Sequence, residues 1–235
     1  SEAESKSAFK NALKSVVNKA LVNTTVEVDL KDITGKPSET DVTMFFYKSG
    51  TNQLKYTMQH ITLLRGINVS GQKIVKMADL RKMLEKMNYQ NVQTYIQSGN
   101  VFVDSEEENP TKVAFKIKME IFRVFGHDVP VIVIGKEDLE KCFANNPFLK
   151  EPEVDIKKLY FAFLSTELQS DAINQLKISN IKPDEVSIDA NRIFIKYAVG
   201  AGKTKLDQKY IEKKMNITAT IRNWNTVTRL LEMYN

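Results

Sequence analysis

The chain has a single cysteine and no long apolar run. Cys142 is that cysteine, so the 235 residues can form no internal disulfide, and a reducing, cytoplasmic setting is the expectation. No apolar run approaches the ~18 residues that a membrane-spanning helix requires. The first residues, Ser1 to Glu4, are polar and acidic, which predicts that no signal peptide is present. A composition with 42% hydrophobic and 27% charged residues is typical of a soluble globular protein.

The residue types that build metal centres and nucleophilic sites are also scarce. The histidines, His60 and His127, form no metal-ligand spacing with Cys142, so the sequence predicts neither a metal nor a cofactor. Cys142 shares a helix face with apolar residues, which predicts a buried, unreactive thiol, with a nucleophilic Cys–His pair as the alternative. If the protein is an enzyme, its general base comes from a short set of side chains: Asp79, Asp104, His60 or Cys142.

Positive charge is concentrated near the end of the chain. The net charge is +5 and the sequence pI is about 9.0. Most of the excess lies in residues 201–235, where seven Lys or Arg stand against three acidic residues. A local positive field favours an anionic partner such as phosphate, nucleotide or nucleic acid. A solvated basic helix face explains the same residues without any ligand.

Residues 1–57 have the pattern of one helix and two strands. Apolar residues recur every three to four positions in residues 7–22, which predicts a helix, and residues 26–31 and 42–47 are typical of strands. We treat this block as an unassigned domain. A fused domain, an expression tag and an extension of the chain are the alternatives.

Residues 58–150 alternate between strand and helix patterns. The order strand, helix, strand, strand, helix, strand predicts the split βαβ arrangement of ferredoxin-like proteins. Asn109 and Pro110 have the residue types of an N-cap and a first helical residue. The predicted strands are residues 59–65, 92–97, 101–104 and 129–134, and the predicted helices are residues 77–87 and a long helix from 110.

Residues 151–235 repeat part of this order. Strands are predicted at 158–164, 186–189 and 192–197, and helices at 168–176, 206–215 and 224–234. A linker is predicted near residues 146–152, where two prolines follow Asn and Glu. The sequence therefore predicts an α+β fold with two subdomains. The first is ferredoxin-like, and the second is a related unit that ends in two helices.

Two polar turns follow core strands of the middle block. Arg65 and Asn68 follow its first strand, and Gln97, Ser98 and Asn100 lie in the turn between its second and third strands. In a ferredoxin-like sheet these strand ends are neighbours, so we expect the five residues to form one polar cluster.

Two glycine-containing loops partly match the phosphate-binding loop pattern. In residues 66–73 the lysine comes one position late and no Ser or Thr follows it, while Tyr197 replaces the first glycine that the second loop needs. The second loop still carries Lys203, Thr204 and Lys205 before a predicted helix, an arrangement that favours anions. A purely structural turn is the alternative for both loops.

Arg222 and Asn223 precede the last predicted helix. Asn223 or Asn225 fits its N-cap, and Trp224 fits a core anchor. Arg222 has no structural role that the sequence reveals, so we predict that its guanidinium binds a carboxylate or phosphate. Both Arg222 and Asn223 are therefore candidate ligand-binding residues.

Four motifs, in order, resemble the bacterial domain-of-unknown-function family 1697. They are residues 63–69, 76–81, 94–101 and 222–227. The resemblance covers about residues 58–235 and implies a cytoplasmic bacterial protein of two α+β subdomains without an established activity. It also implies Gly, a basic residue, Ser or Thr, Lys and Leu at residues 202–206, which this chain has.

These patterns favour a protein that binds an anionic ligand at a cleft between the two subdomains. The ligand is a nucleotide, a phosphate compound or nucleic acid. The alternatives are an enzyme acting on a small phosphorylated or carboxylated substrate, and a protein–protein interaction module with apolar area on residues 1–57. A candidate base beside Arg65 favours the enzyme, whereas exposed Tyr95 or Phe102 on an open sheet face favours nucleic acid.

Overall fold

The computed structural model describes residues 57–69, 71–168, 174, 176 and 178–234. The chain divides after Met58 into two units, and nearly all of the described residues belong to the second. The helix and strands predicted within residues 1–57 lie outside the described residues, as does most of the helix predicted at 168–176.

The described chain begins with six regular elements that form a ferredoxin-like subdomain. They are β1 (Met58–Leu64), α1 (Met77–Lys86), β2 (Gln90–Tyr95), β3 (Asn100–Ser105), α2 (Pro110–Phe125) and β4 (Val131–Ile134). The strands lie in the order β2-β3-β1-β4. β1 pairs antiparallel with β4, and β2 pairs antiparallel with β3. The element order and the strand order together are those of the split βαβ fold.

The second subdomain repeats this strand order. Its elements, with the helix that leads into it, are α3 (Lys136–Ala144), β5 (Leu159–Leu164), β6 (Glu185–Asp189), β7 (Arg192–Lys196), α4 (Gln208–Met215), β8 (Ala219–Asn223) and α5 (Trp224–Met233). The sheet has the order β6-β7-β5-β8, and β5 is antiparallel to both neighbours. The predicted α+β fold with two subdomains is confirmed. β8, between the last two helices, is absent from the sequence prediction.

Local signals in the sequence place the start of α2. The side chain of Asn109 accepts hydrogen bonds from the backbone N–H groups of Thr111 and Lys112. Pro110 is the first helical residue, where its missing N–H group costs no hydrogen bond. The predicted cap is therefore the observed one.

One core is shared by the two sheets. It takes Ile61 and Phe102 from the first sheet, Phe161 from the second and Leu230 from α5. Phe148, within the predicted linker, is buried in the same core, so this connection is packed between the subdomains. The opposite face of the first sheet packs on α1 and α2, and that of the second sheet packs on α4.

α2 carries a second apolar stripe on the face that points to solvent. Phe115, Met119 and Phe122 are 64%, 49% and 55% exposed, and they lie on one side of the helix. With Met87 they line a shallow groove of about 620 Å³. No helix in the described part of the chain is long and apolar enough to cross a bilayer.

Candidate functional site

The end of β1 and the turn after β2 are in direct contact. The backbone N–H of Leu64 donates to the carbonyl oxygen of Gly99 at 2.7 Å. Gly99 has a φ of +82°, and a Cβ atom there would lie 2.6 Å from Cβ of Leu64 and 2.8 Å from Cδ1 of Ile67. Only glycine combines this left-handed conformation with so close an approach. The structure therefore brings the two polar turns together.

The side chain of Asn68 ties the two turns to each other. Its amide nitrogen donates to the carbonyl oxygens of Val75 at 2.9 Å and Gln97 at 3.0 Å, and its amide oxygen accepts from the Val75 N–H at 2.9 Å. Asn68 has a φ of +55°, a conformation that asparagine tolerates better than most residues. The Asn68 amide thus shapes the loop, while Gln97 and Ser98 are exposed.

Arg222 extends from β8 of the second sheet to these turns. Its Nε donates to Oδ1 of Asn100 at 2.6 Å, and its Nη2 donates to the carbonyl oxygens of Leu64 at 2.9 Å and Ser98 at 3.5 Å. Its Nη1 donates within β8, to Oγ1 of Thr220 and to a backbone carbonyl. Arg222 and Asn100 are both buried. Arg222 thus joins the two sheets, a structural role that the sequence does not reveal.

The guanidinium of Arg222 is a buried charge whose acceptors in the described chain are all neutral. They are amide, hydroxyl and carbonyl oxygens. Burial lowers the pKa of Arg222 to about 10. A buried charge without a counter-charge is costly, and the hydrogen bonds to these neutral oxygens offset part of that cost.

Arg65 lies one residue beyond Leu64 and forms an ion pair with Glu212 of α4. The distance between Nη2 of Arg65 and Oε2 of Glu212 is 2.5 Å, and the two side chains are 21% and 20% exposed. The buried Nε of Arg65 has no hydrogen-bond partner among the described residues. Because this Nε is buried, an acceptor from solvent can approach only the partly exposed remainder of the side chain.

Glu212 also completes the edge of the second sheet. Its Oε1 accepts from the backbone N–H of Ala219 at 3.0 Å, and Oε1 of Gln208, one helical turn earlier, accepts from that of Ile221 at 3.1 Å. β8 is an edge strand, so these N–H groups point away from β5 and need acceptors from α4. The Glu212 carboxylate thus accepts a hydrogen bond from β8 and also forms an ion pair with Arg65.

The loop with Lys203, Thr204 and Lys205 is fixed to Asp184, the residue before β6. The hydroxyl of Thr204 donates to Asp184 and accepts from the backbone N–H of Leu206 at 2.8 Å. This loop follows the end of β7, which pairs with the start of β5. Lys203 and Lys205 are exposed, and the structure does not bring them into contact with Arg65 or the polar turns.

Asn223 and Trp224 have structural contacts. The side chain of Asn223 accepts from the backbone N–H of Thr226 at 2.8 Å and so caps α5. The Trp224 ring packs edge-on against Phe143 with centroids 4.9 Å apart, and it also contacts Phe161. Trp224 is the core anchor that the sequence predicts.

The general bases proposed for an enzyme lie away from Arg65 or inside the protein. His60 is five residues before Arg65 on β1, a separation of about 16 Å along a strand. Asp104 accepts hydrogen bonds from Gln59 and Asn91 near the start of β1. Cys142 is buried in the shared core, and burial raises the pKa of its thiol to about 12.

The remaining candidate base, Asp79, is exposed in the first turn of α1. Within the described ranges, no group of three or more His, Cys, Asp or Glu side chains is placed to hold a metal ion.

The sheet face that carries Tyr95 and Phe102 is covered. Phe102 is 1% exposed, and its ring meets that of Tyr234 with centroids 6.1 Å apart. Tyr95 is partly buried against the same shared core. Neither ring forms the open platform on which RNA-binding sheets stack bases.

The structure therefore separates the predicted site residues into two groups. Arg65, Asn68, Gln97, Ser98, Asn100 and Arg222 come together at the end of β1 and the turn between β2 and β3. Asn223 follows Arg222 on β8, but its side chain caps α5, and Lys203, Thr204 and Lys205 lie in the loop after β7. Sequence reasoning missed Glu212, whose only local signal is its place one helical turn after Gln208.

Comparisons with known proteins support the fold and name no ligand. A family profile described as "Protein of unknown function (DUF1697)" matches residues 58–194. Among solved structures, the conserved bacterial protein SP0830 from Streptococcus pneumoniae is similar, with 25% identity and a TM-score of 0.56. That alignment covers 76% of this chain and 99% of the other. A comparison with curated proteins finds no match.

Proposed function

We propose that this chain, which belongs to the protein family of unknown function DUF1697, binds an anionic ligand at the ends of β1 and β3. The observation that supports the proposal is the buried guanidinium of Arg222 with its neutral acceptors. A nearby anion is attracted to this charge more strongly than in bulk water, because the local dielectric constant is low. We call the following residues the strand-end site: Arg65, Asn68, Gln97, Ser98, Asn100 and Arg222.

Arg65 is the residue of the strand-end site that we expect to touch the ligand. Its side chain is partly exposed, and a guanidinium can donate to a carboxylate or a phosphate. The exposed side chains of Gln97 and Ser98 add neutral hydrogen-bonding groups at the rim. Asn68 and Asn100 are positioning residues, because their amides hold the turns together.

Glu212 competes with the ligand for Arg65. The replacement Glu212→Gln keeps an oxygen that accepts from the Ala219 N–H, but it removes the negative charge beside the guanidinium. Partly exposed ion pairs are worth up to about 1 kcal/mol, so we expect the affinity for an anion to rise by about two- to fivefold. The replacement Arg65→Gln lowers the same affinity, because it removes the charged donor.

Lys203 and Lys205 form a second positive area that only an extended ligand reaches. β8 spans about 13 Å from Ala219 to Asn223, which separates the lysine loop from Arg65. A nucleotide or oligonucleotide then uses both areas, whereas inorganic phosphate uses Arg65 alone. Thr204 and Asn223 support this area by fixing its loop and helix.

A thermal-shift screen with inorganic phosphate, adenosine triphosphate and short oligonucleotides tests the proposal. A ligand at one hundred times its Kd stabilises the native state by about 2.7 kcal/mol. We expect this shift in the wild-type chain and its loss in Arg65→Gln. Lys116→Gln, which removes one positive charge from α2, is the matched control and keeps the shift. Equal shifts in both variants would contradict the proposal, and loss in Lys203→Gln only for the oligonucleotides would indicate an extended ligand.

A further inference from the structure

Three exposed aliphatic residues lie next in sequence to Asn68 or to a residue hydrogen-bonded to it. Val69, Ile74 and Ile96 are 58%, 52% and 49% exposed. Val69 follows Asn68 in the sequence. Ile74 and Ile96 precede Val75 and Gln97, whose carbonyl oxygens accept hydrogen bonds from the Asn68 amide. Val69 and Ile74 therefore lie on the loop that Arg65 begins, and Ile96 lies on the turn between β2 and β3 that Asn68 joins to that loop.

Ile96 is held in a conformation that isoleucine rarely adopts. Its φ is +52°, in the left-handed region, where a β-branched side chain is strained. Asparagine or glycine fits this backbone better and would leave the same turn intact. Ile96 is 49% exposed, so about half of its apolar surface is available to a ligand.

We infer that the strand-end site takes a small organic anion whose apolar part packs against Val69, Ile74 and Ile96. The inference rests on the proposed function, because Arg65 and Arg222 supply the attraction for the charged end. Three half-exposed side chains offer far less than the ~800 Å² per partner that a stable protein interface buries, which favours a small molecule.

Titration calorimetry with a homologous series of carboxylates tests the inference. The probes are acetate, butyrate, hexanoate and octanoate, with hexanol as the neutral control and anionic phospholipid vesicles as a separate arm. We expect the affinity to rise by about fourfold for each methylene that becomes buried. We also expect weak or no binding of hexanol, and no binding to the vesicles.

The variant Ile96→Asn separates ligand contact from stability. We expect its melting temperature to be equal to or above that of the wild-type chain, while its affinity for octanoate falls by about tenfold and its affinity for acetate stays unchanged. Phe115→Asn, which removes an exposed aromatic residue from α2, is the control and leaves both affinities unchanged.

The other outcomes overturn the inference in distinguishable ways. Affinity that is independent of chain length removes the apolar subsite but leaves anion binding at the strand-end site. Hexanol binding as tightly as hexanoate removes the role of the charge, and vesicle binding that Ile96→Asn abolishes assigns the patch to a lipid surface. Failure of every carboxylate and of phosphate to bind removes the proposed function and this inference with it.

Discussion

The replacement Gly99→Ala tests the contact that brings the two polar turns together. Two costs are expected. The left-handed φ of +82° is unfavourable for alanine by about 1–2 kcal/mol. In addition, the new Cβ would lie 2.6 Å from Leu64 and 2.8 Å from Ile67, and overpacking of this kind costs about 1–3 kcal/mol. The expected loss in the free energy of unfolding is therefore about 2–5 kcal/mol.

Gly66→Ala is the matched control for this measurement. Gly66 has a φ of +69°, but no atom lies within 4 Å of a Cβ placed there, so only the backbone cost applies. We expect a loss of about 1–2 kcal/mol for Gly66→Ala. Urea denaturation followed by circular dichroism compares the two variants. Equal losses would refute the reasoning, because they would show that Gly99 is not pressed against Leu64 and Ile67.

Three further predictions concern buried polar groups. Arg222→Met leaves the oxygens of Asn100 and Leu64 without their donor, but it also removes a buried charge. We expect a net loss of about 2–4 kcal/mol in the free energy of unfolding, measured by urea denaturation. An unchanged midpoint would contradict this. Thr204→Val removes the donor to Asp184, and we expect a loss of about 1–2 kcal/mol with unchanged phosphate binding; weaker phosphate binding would make Thr204 a ligand contact. Burial lowers the pKa of His60 from 6.5, so the unfolded chain binds more protons below that pH and stability falls as the pH drops below 6.5. His60→Gln should flatten this decline in urea denaturation at several pH values, and an identical decline in both chains would contradict the prediction.

The sequence predicts most of the fold, because its signals are local. The strands of both sheets follow from runs of β-branched and aromatic residues, and Asn109 with Pro110 locates the start of α2. β8 escapes prediction because its five residues are partly polar and show no clear alternation. It becomes a strand through pairing with β5 and through the acceptors that Gln208 and Glu212 provide.

The candidate site is predictable only in part, because its key contacts are long-range. The polar turns at Asn68 and Gln97 are visible in the sequence as breaks after core strands, and the fold explains why they meet. The role of Arg222 is invisible, since its partners Asn100 and Leu64 lie 122 and 158 residues away in the chain. A sequence pattern also cannot show that the Lys203 loop is fixed by Asp184, the residue before β6.

The junction of the two sheets has a physical consequence for the ligand binding that we propose. Arg222 and Arg65 approach it from different subdomains, and Glu212 balances only Arg65 by direct hydrogen bonding. Any change in the packing of the subdomains therefore alters the positive potential at the ends of β1 and β3. Ligand binding and the stability of the sheet junction should be coupled for this reason.

The most direct measurement is a nuclear magnetic resonance titration of the arginine Nε–H signals in the isotope-labelled full chain. Inorganic phosphate and octanoate are the two probes, and Lys116→Gln is the control chain. We predict that the Arg65 signal shifts saturably with each anion, with the same dissociation constant as calorimetry, and that Arg65→Gln abolishes binding. An Arg65 signal that stays fixed while the anions bind elsewhere would contradict the assignment of the strand-end site.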